Sequence, residues 1–212
     1  MTPERIFRRP GTGPVTVAYR SGVVTSPASR PDVLIRPLMP AEAGDRGLVQ
    51  AVTTLTNQVY TEAEAGFWRE GATRTDTGQI AAAIASGSIV VAQAGDGRHV
   101  IGAVHTSTQG QVASFGMLAV APPARGVGVG RRLVQTVEAL ARGSGAISMQ
   151  IEVLTPTDRP HAGKAELGRW YERLGYARSG EVEVTARYPG LGELLAMPCR
   201  LHLYRKSLPS ST

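Results

Sequence analysis

Residues 117–133 read Met117-Leu118-Ala119-Val120-Ala121-Pro122-Pro123-Ala124-Arg125-Gly126-Val127-Gly128-Val129-Gly130-Arg131-Arg132-Leu133. The apolar run from Val112 to Val120 has the composition of a strand. Two prolines then mark a turn, and glycines at every second position lead into Val129, Leu133, Val137, Leu140 and Ala141, which share one helical face. A strand, a glycine turn and a helix in that order make a socket for an anion. Glycine lacks a Cβ, so successive peptide N–H groups can converge on one point, and the helix that follows adds the positive end of its dipole. Arg125, Arg131 and Arg132 supply charge suited to phosphate oxygens.

Two phosphate-binding patterns fail on spacing. A Walker A loop requires Lys-Ser/Thr after its last glycine, and Arg131 follows Gly130. A dinucleotide fingerprint requires Gly-x-Gly-x-x-Gly, but its third glycine falls on Arg131 when counted from Gly126 and on Leu133 when counted from Gly128. A glycine-rich connection without any ligand stays open on this stretch alone.

Outward from the turn, the chain alternates strands and helices. Upstream, Val33-Leu34-Ile35-Arg36 is a short strand stopped by Pro37, and Leu48, Val52, Leu55 and Val59 recur at helical spacing. Asp76 or Thr77 caps a short helix over Gln79 to Ala85. Ser88 to Ala92, His99 to Val104 and Val112 to Val120 are strands joined by glycine turns at hairpin spacing. Downstream, Ile147 to Leu154 is a strand, Ala165 to Leu174 a helix, Tyr176 to Thr185 a strand and Cys199 to Lys206 a terminal strand. The order specifies a mixed α/β fold, with antiparallel hairpins first and helix crossovers later.

The pattern Arg125-x-x-Gly128-x-Gly130, preceded by Met117 to Val120 and by Pro122-Pro123, resembles the Gln/Arg-x-x-Gly-x-Gly/Ala signature of the GNAT superfamily of acyl-CoA-dependent N-acyltransferases. A second block, Leu167-Gly168-Arg169-Trp170-Tyr171-Glu172-Arg173-Leu174-Gly175-Tyr176, is similar to that family's late helix. The resemblance covers about Val33 to Lys206. It implies a mostly antiparallel central sheet flanked by helices and splayed at the acyl-CoA site, in one domain over 31–208; ahead of it, turn residues and sparse apolar groups over 1–30 read as a flexible arm.

The resemblance further implies acetyl-CoA as cosubstrate, with no metal. Its pantetheine arm would pair like an added strand along Leu118, Ala119 and Val120, because two amides suit the free N–H and C=O groups of a strand edge. Arg125, Gly126, Val127, Gly128, Val129, Gly130 and Arg131 would hold the pyrophosphate. Tyr171 matches the tyrosine that protonates the departing thiolate, although Leu167, Trp170, Tyr171 and Leu174 also form an ordinary core set at i, i+3, i+4 and i+7. Glu152 matches the general base of the ribosomal-protein alanine acetyltransferases, although a strand glutamate is equally an ion-paired surface group. A base is useful because an alkyl ammonium, with a pKa of about 10, is mostly protonated at neutral pH.

Two departures bear on the acceptor. Lys164 stands where many relatives carry asparagine, and the loop from Thr155 to Gly163 is longer than in the protein-terminus branch, so substrate class does not transfer. His161 in that loop is either a base or merely solvated. The acceptor pocket falls on Glu62 to Glu70 and on Arg187 to Leu195, where carboxylates beside Phe67, Trp68 and Tyr188 would suit a small cationic amine with an apolar body. The reading is an N-acetyltransferase acting on a primary amine of a small metabolite, amino acid or antibiotic. Its alternatives are a protein N-terminal or lysine acetyltransferase and a non-catalytic acyl-CoA sensor.

Composition excludes other classes. The chain has 212 residues, a formal charge of +6, two lysines (Lys164 and Lys206) and one cysteine, Cys199. One thiol makes neither an internal disulfide nor a Cys-based zinc site. The arginines are scattered rather than striped with aromatics, which argues against nucleic acid. No apolar run reaches bilayer length and the basic start lacks an apolar signal core, so the expectation is a soluble cytoplasmic protein, free of membranes, with room for a homodimer.

Overall fold

The computed structural model describes residues 33–209 except Asp96 and Arg98, so the expected arm over 1–30 lies outside the described residues. The elements are β1 (Val33–Pro37), α1 (Arg46–Ala63), α2 (Thr77–Ala85), β2 (Ile89–Ala94), β3 (His99–Gln109), β4 (Val112–Val120), α3 (Val129–Gly143), β5 (Ser148–Pro156), α4 (Ala162–Arg173), β6 (Ala177–Glu183), α5 (Val184–Arg187) and β7 (Cys199–Ser207). Local chemistry sets their starts. The Asp45 carboxylate accepts from Leu48 N at the head of α1, and Asp76 with Gln79 forms a reciprocal capping box on α2.

The seven strands lie in the order β1-β2-β3-β4-β5-β7-β6, and every pairing is antiparallel except β4 with β5. That one parallel pairing is short. β4 meets β5 only from Val112–Ser114 to Ser148–Gln150, whereas β3 follows β4 to Val120 and β7 follows β5 to Pro156. Beyond Ser114 each strand therefore keeps its outer neighbour, and the two inner edges diverge.

A bulge next to this fork reverses the faces of β4. The β3–β4 register slips between Ala103 and His105, and Met117 opposite it has φ +49°. An extra residue switches the side-chain parity of a strand. Accordingly, Ala113 and Phe115 pack with α3 and α4, while Met117 and Ala119 pack on the other face with α1 and α2, and Leu118 and Val120 return to the α3 side. Unbroken alternation over Val112 to Val120 gives no hint of this switch.

Helices cover both faces, which is why β2 is buried at Ile89, Val90, Val91 and Ala92 alike. Leu133, with no exposure, anchors α3 against the sheet. Two expectations need correction. Leu140 is 43% exposed, because Val134, Val137 and Ala141 centre the inner face of α3 and leave Leu140 at its flank. The strand expected from Tyr176 to Thr185 ends at Glu183, and the chain turns into α5 to bury Val184 with Phe67, Leu154, Leu191, Cys199 and Leu201.

Candidate active site

The glycine turn sits at the mouth of the fork. Gly126 and Gly128 have φ +78° and +93°, the left-handed region that L side chains avoid, and Gly128 is the N-cap of α3. The first turn of a helix has N–H groups with no intrahelical acceptor. Here no side chain caps them, so the end of α3 presents donors and positive dipole to the fork. Gly130 is helical, and a Cβ there would meet Trp170 and Val120 at 3.6 Å, an ordinary packing distance, so neither backbone geometry nor the space around it demands glycine.

Behind the turn a cavity of about 910 Å³ runs between the diverging strands. Leu118, Val120, Arg125, Gly126, Gly128, Val129, Gly130 and Arg131 line it, and so do Glu152 and Tyr171. Ala119 and Val127 do not. The Ala119 side chain faces the α1–α2 core, and Val127 is 52% exposed, so each can contribute only backbone to the site. Arg125 folds back across the mouth, its Nε donating to Val120 O at 3.1 Å and an Nη lying 3.4 Å from Glu62.

Tyr171 is 4% exposed on the inner face of α4, which it shares with Lys164 and Gly168. Gly168 is required there because a Cβ would collide with the Tyr204 hydroxyl. Burial, with Tyr60 and Tyr204 nearby, pushes the Tyr171 phenol well above the ordinary tyrosine range, so it stays protonated. Among the described residues its hydroxyl has no hydrogen-bond partner. Glu152, also on the cavity lining, is held on both oxygens: Arg187 Nε donates to one at 2.9 Å and the Tyr188 hydroxyl to the other at 2.5 Å. Burial and the Glu152 carboxylate push Tyr188 up to about 12.

The family model described as an acetyltransferase (GNAT) domain matches residues 85–178, the span from the end of α2 to the start of β6. That match takes in the glycine turn, Glu152 and Tyr171. Solved structures share the fold. A Streptococcus mutans protein superposes with TM-score 0.60 at 20% identity, covering 83% of this chain and 99% of its own. An aminoglycoside 6'-N-acetyltransferase solved with coenzyme A gives 0.58 at 13%, covering 84% and 99%. N-acetylglutamate synthase from Neisseria gonorrhoeae, solved with coenzyme A and N-acetyl-glutamate, gives 0.58 at 19%, covering 86% of this chain but 36% of the synthase. No curated protein matches in sequence.

The far end of the cavity differs from the acceptor pocket expected above. Phe67 is wholly buried among Leu154, Val184, Leu191, Cys199 and Leu201 and stacks edge-on against His161, so it forms no cavity wall. His161 caps α4, its Nδ1 accepting from Lys164 N at 3.2 Å, which is a structural use of the ring. Trp68 Nε1 donates to Glu64 at 2.8 Å, and Tyr188 does reach the cavity. Glu64 is 3% exposed and pairs with Lys164 Nζ at 2.6 Å across 100 residues of sequence. Lys164, noted in the sequence only as a departure, thus supplies the cation that makes a buried Glu64 tolerable.

Arg74 and Tyr60 also line the cavity, and sequence reasoning missed both. Tyr60 followed no motif, although its spacing from Val59 and Glu64 on α1 places it one turn from a candidate carboxylate. Arg74 lies in an irregular loop and left no signal. Cys199, by contrast, is buried as expected, and burial pushes its thiol up to about 11, which keeps it protonated and inert. No helix among the described residues is long and apolar enough to cross a membrane.

Proposed function

We propose that this domain transfers the acetyl group of acetyl-CoA directly to a primary amine of a small metabolite, amino acid or antibiotic. The observation that carries the reading is that one cavity joins the uncapped end of α3, the unpaired edge of β4 and the buried Tyr171 hydroxyl. Pyrophosphate oxygens would take the N–H groups of the glycine turn, with Arg125 and Arg131 alongside, and the pantetheine amides would take the edge of β4 along Leu118, Ala119 and Val120. The thioester would then lie between Tyr171 and Glu152.

In the reaction the amine nitrogen bonds to the acetyl carbon and the carbon–sulfur bond breaks. Glu152 receives the proton that the ammonium must lose. Each carboxylate oxygen has two lone pairs, so the bonds from Arg187 and Tyr188 leave acceptor capacity for the amine or a water. Tyr171, held neutral, donates to the sulfur as charge develops on it, so that the thiol departs neutral, and the second proton, which the nitrogen sheds as the amide forms, restores the phenol. Direct transfer needs no enzyme nucleophile, in keeping with the inert Cys199.

The test is coenzyme A release from acetyl-CoA with a broad amine panel, products read by mass. Acetylated amine is expected, and Tyr171→Phe should lower kcat at least tenfold with acetyl-CoA affinity unchanged. A wild-type rate in Tyr171→Phe returns that residue to the core. Acetyl-CoA binding with no turnover of any amine would favour a sensor domain, and acetylation confined to peptides would favour a protein acetyltransferase.

A further inference from the structure

We infer that the proton of the acceptor amine reaches Glu152 through the Tyr188 hydroxyl, which makes Tyr188 a catalytic residue in contact with the amine. The inference rests on the acetyl-transfer reading and adds the route by which its base works.

The two groups that hold Glu152 approach it differently. Arg187 is exposed and is not among the residues that line the cavity, so its bond to Glu152 Oε1 comes from the solvent side. Tyr188 does line the cavity, and its hydroxyl donates to Glu152 Oε2 at 2.5 Å. The carboxylate oxygen turned toward an acceptor is thus the one already bonded to the phenol.

Packing fixes that phenol in place. Tyr188 N donates to Val184 O at 2.7 Å at the end of α5, and Leu191 N donates to Tyr188 O at 2.9 Å in the turn that follows. Val184 and Leu191 are buried with Phe67 and Leu154. The far side of the turn is pinned to the α1–α2 connection, Arg69 N donating to Leu194 O at 2.9 Å and Ala196 N to Phe67 O at 2.8 Å. Leu154 lies two residues beyond Glu152 on the same face of β5, so the contacts that seat Leu191 also set Tyr188 against the carboxylate.

A phenol has one O–H to give and two lone pairs with which to accept. The O–H goes to Glu152, Arg187 lies within hydrogen-bond reach of the same oxygen, and one lone pair is left for an N–H of the acceptor. Burial first, and then the bond to Glu152, push Tyr188 up to about 12, so it rests protonated and is no base by itself. In the step, an ammonium proton passes to Tyr188 Oη as the Tyr188 proton passes to Glu152 Oε2. The freed nitrogen lone pair bonds to the acetyl carbon, the carbon–sulfur bond breaks and Tyr171 protonates the sulfur. Glu152 afterwards returns its proton to water.

The experiment uses the full chain, acetyl-CoA and two sets of primary amines, strongly basic alkylamines and weakly basic aryl and alkoxy amines, with acetyl-CoA affinity measured by calorimetry. An alkyl ammonium with a pKa of about 10 must lose a proton before it attacks, whereas a weakly basic amine arrives neutral. Tyr188→Phe should lower kcat for alkylamines at least tenfold, to within threefold of Glu152→Gln. Weakly basic amines should lose less than threefold, with acetyl-CoA affinity within twofold of wild type. The double variant should be no slower than the slower single one, because both groups pass the same proton. Phenylalanine keeps the packed ring, and melting curves check that the variant is folded. Should it unfold, Tyr188→His decides instead: its ring can pass a proton, so its alkylamine rate must exceed that of Glu152→Gln. A wild-type alkylamine rate in Tyr188→Phe, an equal loss for both sets of amines, or losses that multiply in the double variant each overturns the relay alone. Acetyl-CoA bound with no amine acetylated overturns the acetyl-transfer reading along with it.

Discussion

Gly128 shows how a single residue carries two separable demands. Nothing lies within 4 Å of the place a Cβ would occupy, so the cost of a side chain there is backbone strain at φ +93° and not collision. Gly128→Ala should therefore destabilise the fold by about 1–2 kcal/mol while leaving the fork open. Gly128→Glu adds a negative charge at the helix end meant for phosphate, and acetyl-CoA affinity should fall beyond detection. Calorimetry on the pair separates the demands; undiminished affinity in Gly128→Glu would remove the turn from the cofactor site. The glycine pattern made this position legible in the sequence. Arg74 was not legible, because its placement depends on Asn57, which lies 17 positions away and binds only the backbone of the next residue.

At the scale of elements, two polar clamps fix pieces that propensity alone would leave loose. Glu138 on α3 is buried, accepts from the Tyr176 hydroxyl at 2.8 Å and receives Lys206 Nζ on both oxygens at 2.9 Å, tying α3 to β7. Lys206→Met should cost about 1–3 kcal/mol in urea unfolding, because it leaves the buried carboxylate with Arg142, 4.0 Å away, as its cation. The second clamp is Arg36 on β1, which donates to both oxygens of Glu42 at 2.8 and 2.7 Å. The hydrogen bonds from Arg36, opposed by burial and helped by the Met39 N–H, hold the Glu42 carboxyl at about 2, below its ordinary 4.5. A depressed pKa stabilises the folded state above the unfolded value, and that contribution fades as pH falls from about 4.5 to about 2. Glu42→Gln should flatten the acid limb of a stability–pH curve in that window, and an unchanged limb would show that the clamp contributes nothing. The bulge at Met117 belongs to this scale too. Composition showed β4 to be a strand, but only its pairing with β3 revealed where its faces exchange.

For the whole molecule, the fork is a standing cost. β4 and β5 leave facing edges unpaired beyond Ser114, and a ligand that pairs with one of them binds the folded chain alone. Acetyl-CoA at a hundredfold excess over its Kd should thus add about 2.7 kcal/mol to stability and raise Tm by several degrees. Thermal unfolding with and without acetyl-CoA checks this, and Gly128→Glu should lose the rise. No shift in the wild type would mean that the cavity is not the cofactor's.

What the sequence determined by itself is local. Helical and strand periods, glycines at the turn, caps at Asp45 and Asp76 and the order of elements are all encoded within a few residues of one another, and so are the two blocks that place Tyr171 and the turn in the GNAT pattern. What only the tertiary structure decided depends on partners far apart along the chain: the Glu64–Lys164 pair, the hold of Arg187 and Tyr188 on Glu152, the divergence of β4 from β5 and the seat of Arg74 beside Tyr60. Charge is the physical reason. A carboxylate in a sequence reads as available, and whether it is free to hold an acceptor is settled by the cation that folding brings against it.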